Sequence, residues 1–215
     1  MQVRGFPVGP IQENSYLVWA DGSDRAVLVD PGEEAPRLLA EIEREGVTLD
    51  AILLTHTHFD HVGAVAPIAK ATGAPVYVPE IERHVLADIM TFVPYAGFGP
   101  FESWEAEETV AGGEHLTLGG LEIDVVFTPG HSPGHVTYAM TGADATGLFS
   151  GDVLFEGSVG RVDLPGGDWP TLEASIGTLL ERYDDETPVF PGHMGITTLG
   201  RERATNPFLA DLARR

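Results

Sequence analysis

The run Thr55-His-Thr-His-Phe-Asp-His61 packs three imidazoles and a carboxylate into seven residues. Neutral imidazole and carboxylate are ligands for first-row divalent metals. The chain has no cysteine, so a thiolate ligand, a thiol nucleophile and a disulfide staple are all excluded. That leaves His56, His58, Asp60 and His61 as candidates for a metal site of nitrogen and oxygen only. Further positions share their setting. His131 and His135 lie in Thr128-Pro-Gly-His-Ser-Pro-Gly-His135, His193 in Phe190-Pro-Gly-His193, and Asp152 in Phe149-Ser-Gly-Asp152. Each motif follows a short apolar run and turns on glycine, which permits tight backbone and close approach to an ion. One grammar, strand then turn then ligand-type side chain, recurs along the chain and implies one site assembled from distant parts. His84 and His115 lie outside these motifs and read as ordinary surface or partly buried residues.

The elements that must position these groups are legible as short apolar runs. Strands are expected at Asn14–Trp19, Ala26–Val29, Ala51–Leu54, Pro75–Val78, Leu121–Phe127, Val136–Met140, Gly147–Phe149 and Pro188–Phe190. Helical spacing marks 33–45 through Leu38, Leu39 and Ile42, and a clearer face through Leu172, Ile176, Leu179, Leu180 and Tyr183. The Ala- and Val-rich stretch 62–72 and residues 81–90 also read as helices, and 199–213 as a last helix broken by Pro207. Strands alternating with helices predict an α/β protein. Ligands in such folds gather beyond the carboxyl ends of the strands, where the His and Asp motifs fall. The loop from Thr91 to Glu108 carries Phe92, Tyr95, Phe98, Phe101 and Trp104. It either lines a substrate mouth or covers core.

Length and charge bound the rest. The 215 residues suit one domain spanning 1–215, and 43% hydrophobic content supplies a sizeable core. No apolar run approaches the ~20 residues of a membrane span, and the N-terminus lacks a signal-peptide pattern. A cytoplasmic protein without a membrane partner is the expectation. The net charge of −21, from 12 Lys and Arg against 33 Asp and Glu, repels phosphate backbones and argues against a nucleic-acid partner.

The order His56-Thr-His58-Phe-Asp60-His61, then His131, Asp152 and His193, resembles the metallo-β-lactamase superfamily over about Val27 to His193. Within it the chain is most similar to the small glyoxalase-II-like, or hydroxyacylglutathione hydrolase-like, enzymes. Ser150-Gly-Asp-Val-Leu-Phe-Glu-Gly-Ser-Val-Gly-Arg-Val-Asp-Leu-Pro-Gly167, Pro191-Gly-His-Met-Gly-Ile-Thr-Thr-Leu-Gly200 and Asn206-Pro-Phe-Leu209 carry that likeness. The resemblance implies a four-layer αββα sandwich and two divalent metal ions, zinc by preference, with iron or manganese compatible with the ligand set. It assigns His56, His58 and His131 to the first metal and Asp60, His61 and His193 to the second, with Asp152 bridging. It sets Asp30, in Leu28-Val-Asp30-Pro-Gly32, beside the metals, where it would orient a ligand imidazole through its ring N–H. The alternative for Asp30 is a turn-starting Asp before Pro-Gly. His135 is expected to support the turn that presents His131, not to ligate. Full-length glyoxalase II enzymes hold glutathione partly through a C-terminal helical region. Only 22 residues follow His193 here, so glutathione recognition does not come with the resemblance.

The implied chemistry is hydrolysis by a metal-bridging hydroxide, since two ions ~3.5–4 Å apart lower the pKa of a shared water towards ~7. A thiol of pKa ~8.5 leaves without much acid help, and the motifs contain no dedicated proton donor. A small-molecule thioester, 2-hydroxyacyl-glutathione-like, is therefore the expected substrate, with Asp60 as a catalytic proton carrier. Arg161, the basic residue near the metal motifs, either meets a substrate carboxylate or ties down the loop after Asp152 through an ion pair; the second is preferred. The competing reading is a persulfide dioxygenase with one iron on His56, His131 and Asp152. A β-lactamase and a non-catalytic metal-binding module rank below it.

Overall fold

Alternation along the strands decides the layering. In the computed structural model, which describes residues 1–93, 95–143 and 145–210, successive strand residues are buried on opposite faces of one sheet. Leu17 and Trp19 join Ala26, Leu28, Ile52 and Leu54 in one core. Their neighbours Tyr16, Val18, Val27, Val29, Ala51 and Leu53 join another. A sheet buried on both faces needs cover on both.

The first sheet runs in sequence order: β1 (Gln2–Val8), β2 (Glu13–Trp19), β3 (Arg25–Val29), β4 (Thr48–Leu53), β5 (Val76–Pro79) and β6 (Glu108–Val110). From β3 onward its strands are parallel. The second sheet is built from β7 (His115–Leu118), β8 (Leu121–Phe127), β9 (Val136–Thr141), β10 (Thr146–Gly151), β13 (Pro188–Pro191) and β14 (Thr197–Thr198), in the spatial order β14-β13-β10-β9-β8-β7. A small hairpin, β11 (Leu154–Phe155) with β12 (Ser158–Val159), lies between β10 and β13 in sequence. Leu121, Ile123, Val125, Tyr138, Met140 and Phe149 of the second sheet complete the central core. Helices α1 (Ala35–Glu45) and α3 (Val65–Thr72) cover the first sheet through Leu38, Ile42, Val65 and Ile68. Helix α6 (Trp169–Arg182) covers the second through Leu172, Ile176 and Leu179. Helix, sheet, sheet, helix: three cores separate four layers, the αββα sandwich.

The expected strands are all present, with ends shifted by up to three residues. Edge strands β1, β6, β7 and β14 went unread because they are short or half-exposed and lack an apolar run. The expected helix at 62–72 is two pieces, α2 (Phe59–Val62) and α3. Pro67 has no N–H to continue a ladder begun at Phe59, so the helix restarts and carries the proline in its first turn. The 81–90 helix is likewise broken, into a 3₁₀ turn, α4 (Arg83–Ala87) and α5 (Ile89–Phe92), at Asp88. At the C-terminus, α7 (Leu199–Thr205) stops before Asn206, whose side chain caps the Pro207–Leu209 turn; residues 211–213 of the expected last helix lie outside the described residues. No helix among the described residues is long and apolar enough to cross a membrane.

Candidate metal centre

The carboxyl ends of five strands meet at one rim of the sandwich. Asp30 follows β3, the 55–61 motif follows β4, the 128–135 loop follows β8, Asp152 follows β10, and His193 follows β13. The two sheets are stitched together there. The Val136 amide donates to the Thr55 carbonyl (2.9 Å), and the Tyr138 hydroxyl donates to the Leu54 carbonyl (2.9 Å).

Two sets of three ligand-type groups converge at this rim: His56, His58 and His131, and Asp60, His61 and His193, each set with its ligand atoms within 4.8 Å of one another. Asp152 stands between them. One of its oxygens is 3.4 Å from His61 Nε2, and the other is 3.4 Å from His131 Nε2 and 3.6 Å from His193 Nε2. Three buried atoms aimed into this space, His56 Nε2, His61 Nε2 and Asp152 Oδ1, have no hydrogen-bond partner. Buried polar atoms are rarely left so. Lone pairs gathered without donors are the donor set a divalent cation requires, and the residues here fit metal binding.

The tautomers follow from the partners. Thr55 Oγ1 donates its one proton to Asp30 Oδ2 (2.6 Å), so at 3.0 Å from His56 Nδ1 it must accept from the ring. His56 Nε2 is then a bare lone pair. His131 Nδ1 donates to the Arg161 carbonyl (2.7 Å), which frees its Nε2. That Nε2 lies 2.8 Å from His58 Nδ1, and both are turned to the same point. His61 Nδ1 donates to Asp30 Oδ2 (3.0 Å), freeing its own Nε2. Asp30 also accepts from the Thr55 amide (2.8 Å), so both of its oxygens are occupied. Asp30 clusters spatially with His56 and His61, and with three donors already on its carboxylate it orients both rings. Its backbone sits at φ 44°, the left-handed region that Asp tolerates better than most residues.

Burial and charge divide the imidazoles. Burial, reinforced by the surrounding imidazoles, pulls His56 well below the ordinary histidine range, and burial with neighbouring His131 brings His58 down to about 4. Burial alone would depress His61 too, but the Asp152 and Asp30 carboxylates outweigh it and hold its pKa well up. The imidazoles likewise hold Asp152 ionised although burial opposes its charge.

His135 reaches further than the turn it was expected to support. Its carbonyl accepts from the Thr128 amide (2.9 Å), closing the loop that carries His131. Its ring stacks on His56 (centroids 4.8 Å apart), and its Nε2 accepts the Asp152 amide (3.1 Å). Arg161 forks onto Asp163 at 2.6 and 2.7 Å while its carbonyl holds His131. His84 is exposed with its ring on Phe92, and His115 sits at the surface between Glu122 and Asp124.

Sequence reasoning missed several groups. Glu82 is buried and accepts four hydrogen bonds: the Thr57 amide and hydroxyl at 2.8 and 2.9 Å, the Ser132 hydroxyl at 2.5 Å and the Gly134 amide at 2.8 Å. It thus ties the 55–61 motif to the 128–135 loop. Asn14 donates to the Pro191 and Met194 carbonyls (3.1 and 3.0 Å) and Tyr16 to Pro191 (2.9 Å), pinning the turn that bears His193. Glu13 is fully buried, its oxygens unpartnered and one of them 3.6 Å from His61 Nδ1; burial raises its pKa well above the carboxylate range. The only signal was three polar groups, Glu13, Asn14 and Tyr16, at the head of an apolar strand. Glycine is required at Gly192 because a Cβ there would collide with Asp152 Oδ1 and the His61 ring.

A cavity of about 840 Å³ opens over the ligand cluster, with His58, Asp60, His131, Asp152 and His193 in its floor. The aromatic loop splits between its two expected roles. Phe92 and Tyr95 line this cavity, whereas Phe101 and Trp104 pack on the first sheet's outer core.

An αββα sandwich with a His- and Asp-rich cluster across its strand ends defines a class, and a family model for the metallo-beta-lactamase superfamily matches residues 8–193. The chain belongs to that superfamily of metal-binding hydrolases. It is 40% identical to a probable metallo-hydrolase, YqgX, of Bacillus subtilis, over 97% of this chain and 98% of that one. It is 36% identical to the hydroxyacylglutathione hydrolase GloC of Haemophilus influenzae, with the same coverage. Among solved structures, the BLEG-1 B3 metallo-beta-lactamase superposes with a TM-score of 0.90 at 42% identity, covering 97% of this chain and all of that one. TTHA1623, solved in a di-iron-bound form, superposes with a TM-score of 0.76 at 43% identity, covering 96% of this chain and all of that one.

Proposed function

We propose that the protein is a dinuclear metal-dependent thioester hydrolase. The observation that carries this reading is the convergence of two three-ligand sets on the shared Asp152, with lone pairs on His56, His61 and Asp152 unpaired in a buried space. Similarity to GloC supports a thioester as the substrate. His56, His58 and His131 would hold one divalent ion, Asp60, His61 and His193 the other, and Asp152 both. When bound, such a pair supplies an activated water at neutral pH and an electrophile for the substrate carbonyl.

The chain's own groups do the remainder. Asp30, through Thr55 and directly, keeps His56 and His61 in the tautomers that turn a bare Nε2 toward the buried ligand space. Glu82 and His135 fix the spacing of the loops, so the ligand atoms need not reorganise on binding. A departing thiolate needs no strong acid. Asp60, 3.4 Å from His193 Nε2 at the cavity floor, is placed to take the proton released by the attacking water and pass it to the product. Asp60→Asn then costs more rate than metal; proportionate loss of both would reduce Asp60 to a plain ligand.

The test is metal content of the purified protein together with hydrolysis of acyl thioesters, S-lactoylglutathione among them. Close to two metals per chain with turnover supports the reading. A single iron, no hydrolysis, and oxygen uptake with glutathione persulfide would replace it with the dioxygenase. A β-lactam turned over more efficiently than any thioester would replace it with a lactamase.

A further inference from the structure

The mouth of the cavity above the ligand cluster is chemically one-sided. Ile11, Ile81, Phe92, Tyr95 and Met194 line it and remain 39%, 53%, 45%, 45% and 58% exposed. Large apolar side chains gathered in the open round one concavity mark a ligand surface. Met194 directly follows a candidate ligand and is held at φ 70°, a left-handed conformation that a side chain of its kind adopts only under strain. The strain keeps a thioether at the rim where a glycine would be the relaxed choice.

The protein lining of the cavity is poor in cationic side chains. Among the described residues that line it, Arg161 is the only Lys or Arg, and its guanidinium is forked through Nε and Nη2 onto Asp163 at 2.6 and 2.7 Å. Glutathione carries two carboxylates, and carboxylates are recognised by forked or clustered positive donors. The carboxylate of Glu82 faces the same space but is saturated by its four donors. The whole chain carries a charge of −21, a field that repels anionic ligands.

We infer that this cavity selects thioesters whose arms are uncharged and apolar, and discriminates against anionic peptide thiols such as glutathione. The inference rests on the thioester reading above and narrows its substrate class. Ile81, Phe92, Tyr95 and Met194 are its specificity-determining residues.

A pair of non-hydrolysable thioethers separates the two statements: S-hexyl-N-acetylcysteamine, which is neutral, and S-hexylglutathione, which is anionic, each titrated calorimetrically into the metal-loaded full-length protein. The neutral ligand binds about tenfold tighter or better, and added salt narrows the gap by screening the repulsion of the anion. Met194→Gly, which relieves the backbone, weakens the neutral ligand several-fold. Ile81→Arg, at an exposed position, strengthens the anionic one. Equal or tighter binding of S-hexylglutathione, weakened by Arg161→Ala, would overturn the inference. Neither ligand has a scissile bond, so the binding preference decides this inference whether or not thioesters are hydrolysed. Loss of hydrolysis with the neutral preference intact would count against the hydrolase reading alone.

Discussion

The two ligand sets sit side by side, yet they are built differently. In the first, His56 is buried under the His135 ring and pinned through Thr55, His131 is pinned by the Arg161 carbonyl, and Glu82 locks both parent loops together. In the second, only His61 has its ring held by a buried partner, Asp30. Asp60 and His193 keep side chains 17% and 19% exposed and face chiefly each other and Asp152. Asn14 and Tyr16 hold the backbone of the His193 turn but not its ring. A preorganised set loses less entropy on binding than one that must be ordered. The first set should therefore be the tighter and the second the exchangeable one.

The largest expected effect tests what the two sets share. Asp152→Ala removes a ligand from both and should cost more than the ~10–100-fold that a supporting residue costs, in metal affinity and activity together. Two metals retained per chain by elemental analysis would mean the carboxylate is not shared.

Next come the braces. Asp30→Asn disturbs His56 through Thr55 and His61 directly, so it should weaken both sets, by about 10–100-fold in metal affinity. Glu82→Gln replaces two acceptor oxygens with one acceptor and one donor, leaving an amide or hydroxyl of its four partners facing an N–H. It should weaken the first set by a similar factor and leave the second nearly untouched. An equal loss at both sets under Glu82→Gln would erase the distinction between them.

His193→Ala should leave about one metal per chain, still on the first set, because nothing in that set leans on His193. Zero metals would show the first set to be dependent on the second.

Acidification should separate the sets with the gentlest perturbation. The Asp152 and Asp30 carboxylates raise His61, so a proton competes for its Nε2 more readily than for the rings of the first set, where burial holds His58 down to about 4 and His56 well below the ordinary histidine range. As pH falls, the ion held by Asp60, His61 and His193 should leave first and the other should persist to more acid conditions. Metal content followed against pH checks this; simultaneous release would sink the comparison.

The ligand motifs were legible from residue types and order because their chemistry is local: His and Asp on glycine turns behind apolar strands. So were the strands that carry them: Ala51–Leu54, buried on both faces, reads as an unbroken apolar run, and Leu121–Phe127 reads as alternation, with Glu122 and Asp124 off the core face. What supports the ligands was not legible. Glu82 stands in a run of charges that reads as helix surface, and only folding makes its carboxylate the meeting point of residues 25 and 50 positions away in sequence. Glu13 and Asn14 look like the polar start of a strand until β2 is laid beside the His193 turn. The break at Pro67 was visible as a proline, but not as a restart of the helix.

The amino-acid sequence alone determined that this chain would offer nitrogen and oxygen ligands and no sulfur, that apolar strands would deliver them at their carboxyl ends, and that its surface would be strongly acidic. These are properties of residue type and short-range pattern. The tertiary structure decided which ring nitrogen each imidazole presents, which carboxylates brace and which stay open, and that exposed apolar side chains gather at the mouth above them, with Arg161 paired to Asp163. Those depend on hydrogen-bond partners and burial that distant segments supply only once two sheets have closed on one rim.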